Sequence, residues 1–448
     1  MSDTIVALAT PTGRSGIGVI RLSGNASLMI VRRLVSQADF NPEPRYAHLK
    51  KIFDIETGEI LDEAIILYFQ SPNSFTGEDV VEISCHGSPV VLRQIIDFCL
   101  RLDARLAEPG EFSLRALANR QINLSQAEAI RDLIDSQTLS AVKQSVRQLQ
   151  GEVSNQLQPI KDDLLEVIVL LESALEFVED DLPDFQIENI IVKLNSVSAS
   201  IGKFSSTYQA GKLLREGLSV AIVGRPNVGK SSLFNALLGQ DRAIVTDIAG
   251  TTRDQIHERI SINGIPISLI DTAGLRETFD VVESIGVERS KRSMADADLV
   301  IVLLDGSQNI SDDESLLIHQ VNSLTHFIAV NKSDLKQVSF DLNGSTIVRV
   351  SAKTGEGLED LKSQIVEPFL TTYENVSGFL ISDARHYDLL LRAKSEIDNS
   401  IQMLKQKLGE EIILVGLHNA LRYLGRITGE TTTEEMLTEI FSTFCIGK

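Results

Sequence analysis

Gly224-Arg-Pro-Asn-Val-Gly-Lys-Ser231 is the stretch from which the fold is read. It matches G-x-x-x-x-G-K-[ST] in full and lies between an apolar strand pattern, Leu218–Val223, and a helical one, Lys230–Leu238. Its glycines let successive backbone N–H groups curl around a phosphate, Lys230 brings a point charge to the outer phosphates, and the Ser231 hydroxyl suits Mg²⁺. The cradle comprises Asn227, Val228, Gly229, Lys230, Ser231 and Ser232. Downstream, Asp271, Thr272, Ala273 and Gly274 follow the strand pattern Ile265–Ile270, which places a carboxylate at a strand end for Mg²⁺ and a glycine amide near the γ-phosphate. That strand arrives through an Asn263-Gly264 turn from Ile260–Ile262. Farther on, Phe327–Val330 runs into Asn331, Lys332, Ser333 and Asp334, where a carboxylate can accept from the guanine N1–H and 2-amino groups together. Adenine offers no such pair. Ser351, Ala352 and Lys353, after the strand pattern 347–350, supply a backbone amide for guanine O6. In this order on alternating strands, the set specifies GTP.

The residue after Gly274 is Leu275, where many signalling GTPases place a glutamine that orients the attacking water. Leucine cannot hydrogen-bond water, so either hydrolysis is feeble or another group does the positioning. Arg276, Glu277, Asp280 and Glu283 are the nearby candidates, each of which could equally be a solvated charge on a loop.

Around this block the chain is long and acidic. Its 448 residues exceed what one core supports, and the scaling of domain size gives about three domains. A composition of 43% hydrophobic and 23% charged residues excludes a chain disordered throughout. Acids outnumber bases by 62 to 42, a net charge of −20, which disfavours unaided binding of nucleic acid through a broad basic face. Nearly half of that charge falls between Lys161 and Glu188. Three cysteines, Cys85, Cys99 and Cys445, make neither a disulfide framework nor a C-x-x-C metal spacing. The N-terminus lacks a basic n-region, and the apolar run Leu164–Val178 is interrupted by Glu166, Glu172 and Glu176, so the expected setting is cytoplasmic with no membrane insertion.

Short β-type runs at Ile17–Leu22, Ala64–Phe69 and Val80–Ser84, with a helical pattern over Pro89–Leu102, predict an α+β domain at residues 1–118; 72–79 and 109–113 read as loops. From 119 the period turns helical, with Ser125-Gln-Ala-Glu128 as a capping box, then helices near 156–179 and 188–210 split at 180–184. Strands alternate with helices over 216–372. Helices return over 373–448: Leu390, Ile397, Ile401, Leu404 and Leu408 keep one stripe, and Thr432-x-x-Glu435 caps a last helix before Cys445. Amphipathic helices on both sides of an α/β block must bury their stripes together, so one all-α domain (119–215 and 373–448) carries the α/β P-loop GTPase domain as an insert.

Taken together these motifs resemble the tRNA-modification GTPase family MnmE (TrmE) across essentially the whole chain. The resemblance rests on Thr-Pro-x-Gly-Arg at 10–14, Pro-Asn-Ser-Phe-Thr-Gly-Glu-Asp at 72–79, Ala-Gly-Thr-Thr-Arg-Asp at 249–254, and the C-terminal Cys-Ile-Gly-Lys at 445–448. It implies a homodimer held by N-terminal domains similar to folate-binding enzymes, and GTPase domains that pair under K⁺ stimulation. By the same resemblance, Thr246, Asp247, Ile248, Ala249, Gly250, Thr251 and Thr252 line the nucleotide. Asn227, Thr246, Ile248 and Thr251 serve K⁺, Ser231 and Thr252 serve Mg²⁺, and Glu283 positions the water. Potassium beside the phosphates stabilises charge where other GTPases use an arginine finger. Arg21, Glu82, Gln121 and Lys448 fall at folate-contacting positions, for a 5,10-methylene-tetrahydrofolate donor or its 5-formyl analogue, with Cys445 near the chemistry. The family usually has lysine where Gln121 stands, so Gln121 or the neighbouring Arg120 takes that part. The implied activity is installation of an aminomethyl or carboxymethylaminomethyl group at C5 of the wobble uridine of certain tRNAs, with the FAD-containing MnmG (GidA) protein as partner. The alternative is a ribosome-assembly or RNA-chaperone GTPase switch without covalent chemistry. Such factors usually carry a basic RNA module, and none is evident.

Overall fold

Strand and helix patterns resolve, in the computed structural model of the chain, into two compact units: Met1–Arg131 with Gln148–Leu157 and Leu421–Lys448, and Asp132–Arg147 with Gln158–Ala420. The structure describes residues 3–176, 184–241, 257–271, 297–339, 346–370, 378–430, 437 and 440–447. The 180–184 break therefore lies largely outside the described residues, and the Thr432–Glu435 cap lies wholly outside them.

The first unit begins with β1 (Thr4–Leu8) and β2 (Ser15–Ser23), then α1 (Ser27–Leu34) and β3 (Ala47–Phe53). There follow β4 (Ile60–Phe69), β5 (Val80–Gly87), α2 (Pro89–Arg101), β6 (Ala104–Leu106) and α3 (Glu111–Ala118). The strands order as β3-β4-β5-β2-β1-β6, antiparallel except for β1 with β6. Period-2 alternation explains the layering: Val81, Ile83 and Cys85 of β5 are buried with Ile30, Leu34, Ile95 and Phe98 of α1 and α2, whereas Glu82, Ser84 and His86 point the other way. That other sheet face carries Leu49, Ile65 and Ile17, which are 70%, 45% and 64% exposed and lie in register with Ser84 and His86.

Residues 109–113, expected as a loop, instead enter α3 at Glu111. The reason is a buried charge cluster that rewards the helical i,i+4 spacing. Arg115, 1% exposed, pairs with Glu111 (2.9 Å), Glu78 (3.0 Å) and Asp3 (3.0 Å), and Arg105 reaches both Glu111 and Asp3. Glu78 also accepts from Ser23 Oγ (2.7 Å), so the 72–79 loop is pinned to β2 and α3 together.

Helix α4 (Leu124–Asp135) corrects a second expectation. Its capping box is Asn123 with Gln126, not Ser125 with Glu128. Gln126 N–H donates to Asn123 Oδ1 (2.9 Å) and Asn123 N–H donates to Gln126 Oε1 (3.0 Å), and Ser125 is inside the helix. An Asn-x-x-Gln two residues upstream carried the same signal.

The second unit holds most of α5 (Leu139–Leu149) and of α6 (Glu152–Glu176), with α7 (Asp184–Ser205) and α8 (Tyr208–Glu216). The α/β block follows as β7 (Leu218–Val223), α9 (Lys230–Asp241), β8 (His257–Ile262), β9 (Ile265–Asp271) and β10 (Leu299–Asp305). It continues with α10 (Asp312–Val321), β11 (His326–Asn331), β12 (Ile347–Arg349) and α11 (Leu358–Leu370); α12 (Ala384–Lys405) and α13 (Glu410–Thr428) come after it. The sheet order is β12-β11-β10-β7-β9-β8, parallel but for β8. Central β10, Leu299 to Asp305, is buried at every position because helices cover both faces. Asn263 and Gly264 both have positive φ (52° and 81°), as the β8–β9 turn requires.

Where the block leaves and rejoins the helices, the two chain crossings run side by side. Ile381 N–H donates to Thr207 Oγ1 (2.9 Å), Tyr208 stacks on Tyr387 with centroids 4.3 Å apart, and Arg215 pairs with Asp383 (2.8 Å) and Asp132 (3.0 Å). Helices α7 and α12 pack closely, joined by Ser198 Oγ donating to Asp398. The α12 stripe is Leu390, Ile397, Ile401 and Leu404; Leu408 drops out because the helix ends at Lys405 and Lys407 turns left-handed at φ 54°.

Acid titration of the Arg115 cluster is a direct test of the first unit. Burial alone raises the Glu111 carboxyl, but hydrogen bonds from Arg105, Arg115 and the Glu108 N–H prevail and hold it below 4.5. A depressed folded value contributes stability that is complete above about pH 4.5 and lost as pH falls through the folded value. Arg115→Met should cost about 3–5 kcal/mol in urea unfolding at pH 7, because it leaves buried carboxylates without their cation. That deficit should narrow steadily below pH 4.5 as the carboxyls protonate.

Candidate functional site

The phosphate loop leaves β7 at Val223 and delivers its lysine as the first residue of α9, the arrangement in which helix-end N–H groups face an anion. Lys230 Nζ donates to the carbonyls of Gly224 and Arg225, both at 2.8 Å, so the ammonium lies across the loop it serves. Asn227, with φ of 66°, and Ser231 and Ser232 are exposed at the mouth, and Val228 is buried beneath.

Asn331 ties this loop to the segment after β12, expected from sequence to meet the base. It is 3% exposed at the end of β11; its Nδ2 donates to the Val228 carbonyl (2.9 Å) and its Oδ1 accepts from the Ala352 N–H (3.0 Å). Ser351, fully buried, donates its hydroxyl to Asp334 Oδ1 (2.7 Å) and accepts from the Thr354 N–H (3.1 Å), which aims the exposed Asp334 carboxylate. Lys332 has φ of 64° and donates to Asp305 Oδ2 at 2.6 Å; Lys353 is exposed beside Ala352. Burial raises the Asp305 carboxyl, yet the Lys332 ammonium and the Ser307 donors outweigh it and keep the group ionised below its ordinary 3.8. Asp305 was not singled out from sequence. Its signal was available: a carboxylate ending a fully apolar strand just before Gly306, the same pattern as Asp271.

Asp271 ends β9 as expected. Thr246, Asp247, Ile248, Ala249, Gly250, Thr251, Thr252, Thr272, Ala273, Gly274 and Glu283 lie outside the described residues.

In the first unit, Arg21 of β2 and Glu82 of β5 stand directly opposite one another and form a two-contact ion pair at 2.8 and 2.9 Å, each side chain about a fifth exposed. Arg21 also donates to the Gly447 carbonyl (3.2 Å) and lies 5.8 Å over the Phe112 ring. The chain's end thus returns to its beginning. Phe441 and Phe444 bury with Leu124 and Ala127, the Gly110 N–H donates to the Cys445 carbonyl (3.4 Å), and Cys445 itself is exposed. Gln121 lies against the 72–79 loop, where a Cβ on Gly77 would sit 3.0 Å from its Nε2; Lys448 is outside the described residues. The sequence shows Gly447 only as part of Cys-Ile-Gly-Lys and Phe112 only within 109–113, because the contacts of a backbone carbonyl and a ring face leave no local signal.

A P-loop on a parallel sheet, with an asparagine and an aspartate arranged for guanine, defines the class of P-loop GTPases. Comparison with known proteins narrows it. The family description "MnmE helical domain" matches residues 124–445, and "GTP-binding protein TrmE N-terminus" matches residues 4–121. The tRNA modification GTPase MnmE of Aquifex aeolicus (strain VF5) is 44% identical over the full length of both chains. That of Koribacter versatilis (strain Ellin345) is 44% identical and that of Clostridioides difficile (strain 630) 38% identical, again over the full length of both. The chain belongs to the MnmE (TrmE) family of tRNA modification GTPases. No described helix is long and apolar enough to cross a membrane.

The tie between loop and base site makes Gly229 the sharpest point of attack. Its φ is +99°, and a Cβ there would stand 2.2 Å from Asn331 Nδ2, which its two bonds hold in place. Gly229→Ala should weaken GDP binding by about tenfold or more, read by fluorescent-nucleotide titration, with the first unit's unfolding unchanged.

Proposed function

We propose that this GTPase installs an aminomethyl or carboxymethylaminomethyl group at C5 of the wobble uridine of certain tRNAs, with a folate-borne one-carbon unit and an FAD-containing partner, the family's MnmG (GidA) protein. The observation that carries the reading is the Arg21–Glu82 pair beneath the returning C-terminal segment. A guanidinium suits the carboxylates and carbonyls of a 5,10-methylene- or 5-formyl-tetrahydrofolate, and a carboxylate suits the donor edge of its aminopterin ring. Both groups are half-buried on adjacent strands, with Phe112 beside Arg21 for an aromatic ligand and the exposed Cys445 two residues before the Gly447 carbonyl. Gln121 and Lys448 would complete the pocket.

In this reading the chain acts in the cytoplasm as a homodimer joined through its N-terminal domain, residues 1–118. Support comes from the uncovered sheet face, where Leu49, Ile17 and Ile65 remain exposed with no helix over them among the described residues. The GTPase domain, 216–372, is inserted between helical segments 119–215 and 373–448 and pairs with its counterpart when GTP is bound. Ser231 and Thr252 hold Mg²⁺; Asn227, Thr246, Ile248 and Thr251 hold the stimulating K⁺; Glu283 orients the water that Leu275 cannot. The exposed Asn227 amide at the loop mouth is an apt oxygen ligand for such a cation. The acidic surface leaves most tRNA contacts to the partner.

Calorimetric titration of 5-formyltetrahydrofolate into the purified chain tests the one-carbon site. Saturable binding is expected, with Arg21→Ala and Glu82→Ala each weakening it by about tenfold or more, since each leaves the other charge half-buried and unpaired. Equal binding by both variants would remove this pair from the site.

A further inference from the structure

The connection from β10 to α10 touches both halves of the nucleotide site. At its start Asp305 holds Lys332 of the guanine motif. At its far end Glu314, with a side chain 4% exposed, divides its carboxylate between two tasks. Oε2 accepts from the Ser311 N–H (2.9 Å) and hydroxyl (3.0 Å), closing the helix's capping box. Oε1 stands 3.5 Å from Nε of Arg225, the second residue of the phosphate loop. Gln308, between the two, accepts from Arg225 Nη2 at 3.3 Å.

Arg225 therefore has its guanidinium directed at α10 while its backbone carbonyl accepts from Lys230 Nζ. We propose that Glu314 and Gln308 are positioning residues for the phosphate cradle, acting through Arg225. Two constraints make that route effective. Arg225 precedes Pro226, which narrows its own backbone range, and Asn227 follows at φ 66°, so an anchored side chain leaves the start of the loop little freedom. The carboxylate also neutralises a guanidinium beside the phosphate site, so the arginine does not fold over the cradle when the site is empty. The effect is expected mainly on the phosphates, because Arg225 lies in the phosphate loop, whereas Asp334 is aimed by the Ser351 hydroxyl through a bond that Arg225 does not share.

The test is release of fluorescent GDP and IDP from the full-length chain. IDP lacks the 2-amino group that Asp334 reads, so the GDP:IDP ratio reports the base site independently. Arg225→Ala and Glu314→Gln should each speed release of both nucleotides about tenfold, with the ratio unchanged. The double variant should be no worse than the worse single one, as expected of residues acting as a pair, and Arg225→Lys should recover part of the loss. Gln308→Ala, at an exposed position with no burden on the fold, should speed release by about two- to threefold and decides the matter if Glu314→Gln does not fold. Release within twofold of the parent in the folded variants would overturn the proposal. So would loss in Arg225→Ala with Glu314→Gln and Gln308→Ala silent, which would mean that Arg225 touches the phosphates itself. A GDP:IDP ratio that falls in step with release would also overturn it.

Discussion

The buried amide of Asn331 is the constraint on which the nucleotide site depends. One side chain, at the buried end of β11, spends its donor on the phosphate loop and its acceptor on the Ala352 N–H of the loop after β12. The amide offers an N–H donor and a C=O acceptor on one rigid group, which neither aspartate nor leucine does. With 3% exposure, each half left unmade would cost about 1–3 kcal/mol, which makes separate movement of the two loops expensive. The two loops are thereby held as one unit, and the parallel strands supply the rigid ends from which both spring.

The first unit is organised by charge rather than by a loop. Arg115 would be very costly to bury alone; with Asp3, Glu78 and Glu111 it becomes a bolt through the 72–79 loop, the chain's start and α3. That rigidity frames the more exposed Arg21–Glu82 pair on the neighbouring strands, and the C-terminal segment closes over it. The two arginines differ in exposure. One is 1% exposed and saturated with partners, whereas the other keeps about a fifth of its side chain open to solvent.

Much of this was legible because it is written locally. The phosphate loop, the Asn263-Gly264 hairpin and the Asn331–Asp334 motif follow from turn chemistry and strand ends, and the β7 limits match the pattern at Leu218–Val223. What escaped depends on distant partners. Edge strand β3 carries Lys50 and Lys51 in a row and so shows no clean alternation, and β6 is only three residues long. Helix α3 owes its start to ions supplied by Asp3 and Glu78, far away in sequence. Two adjacent boxes were possible for α4, and the one formed, at Asn123, goes with packing of Leu124 and Ala127 against Phe441 and Phe444, residues distant in sequence. The Arg21–Glu82 pairing was invisible in itself, since strand register decides which charges meet.

The central claim is that this GTPase takes part in covalent chemistry on tRNA rather than in an assembly switch. The most direct measurement reconstitutes the purified chain with the FAD-containing partner, unmodified tRNA, methylene-tetrahydrofolate, ammonium and GTP with K⁺, and analyses the digested nucleosides by mass spectrometry. The account predicts a 5-aminomethyl-type uridine at the wobble position that forms with GTP and is absent with GDP. Steady GTP hydrolysis with the wobble uridine left unmodified would contradict it.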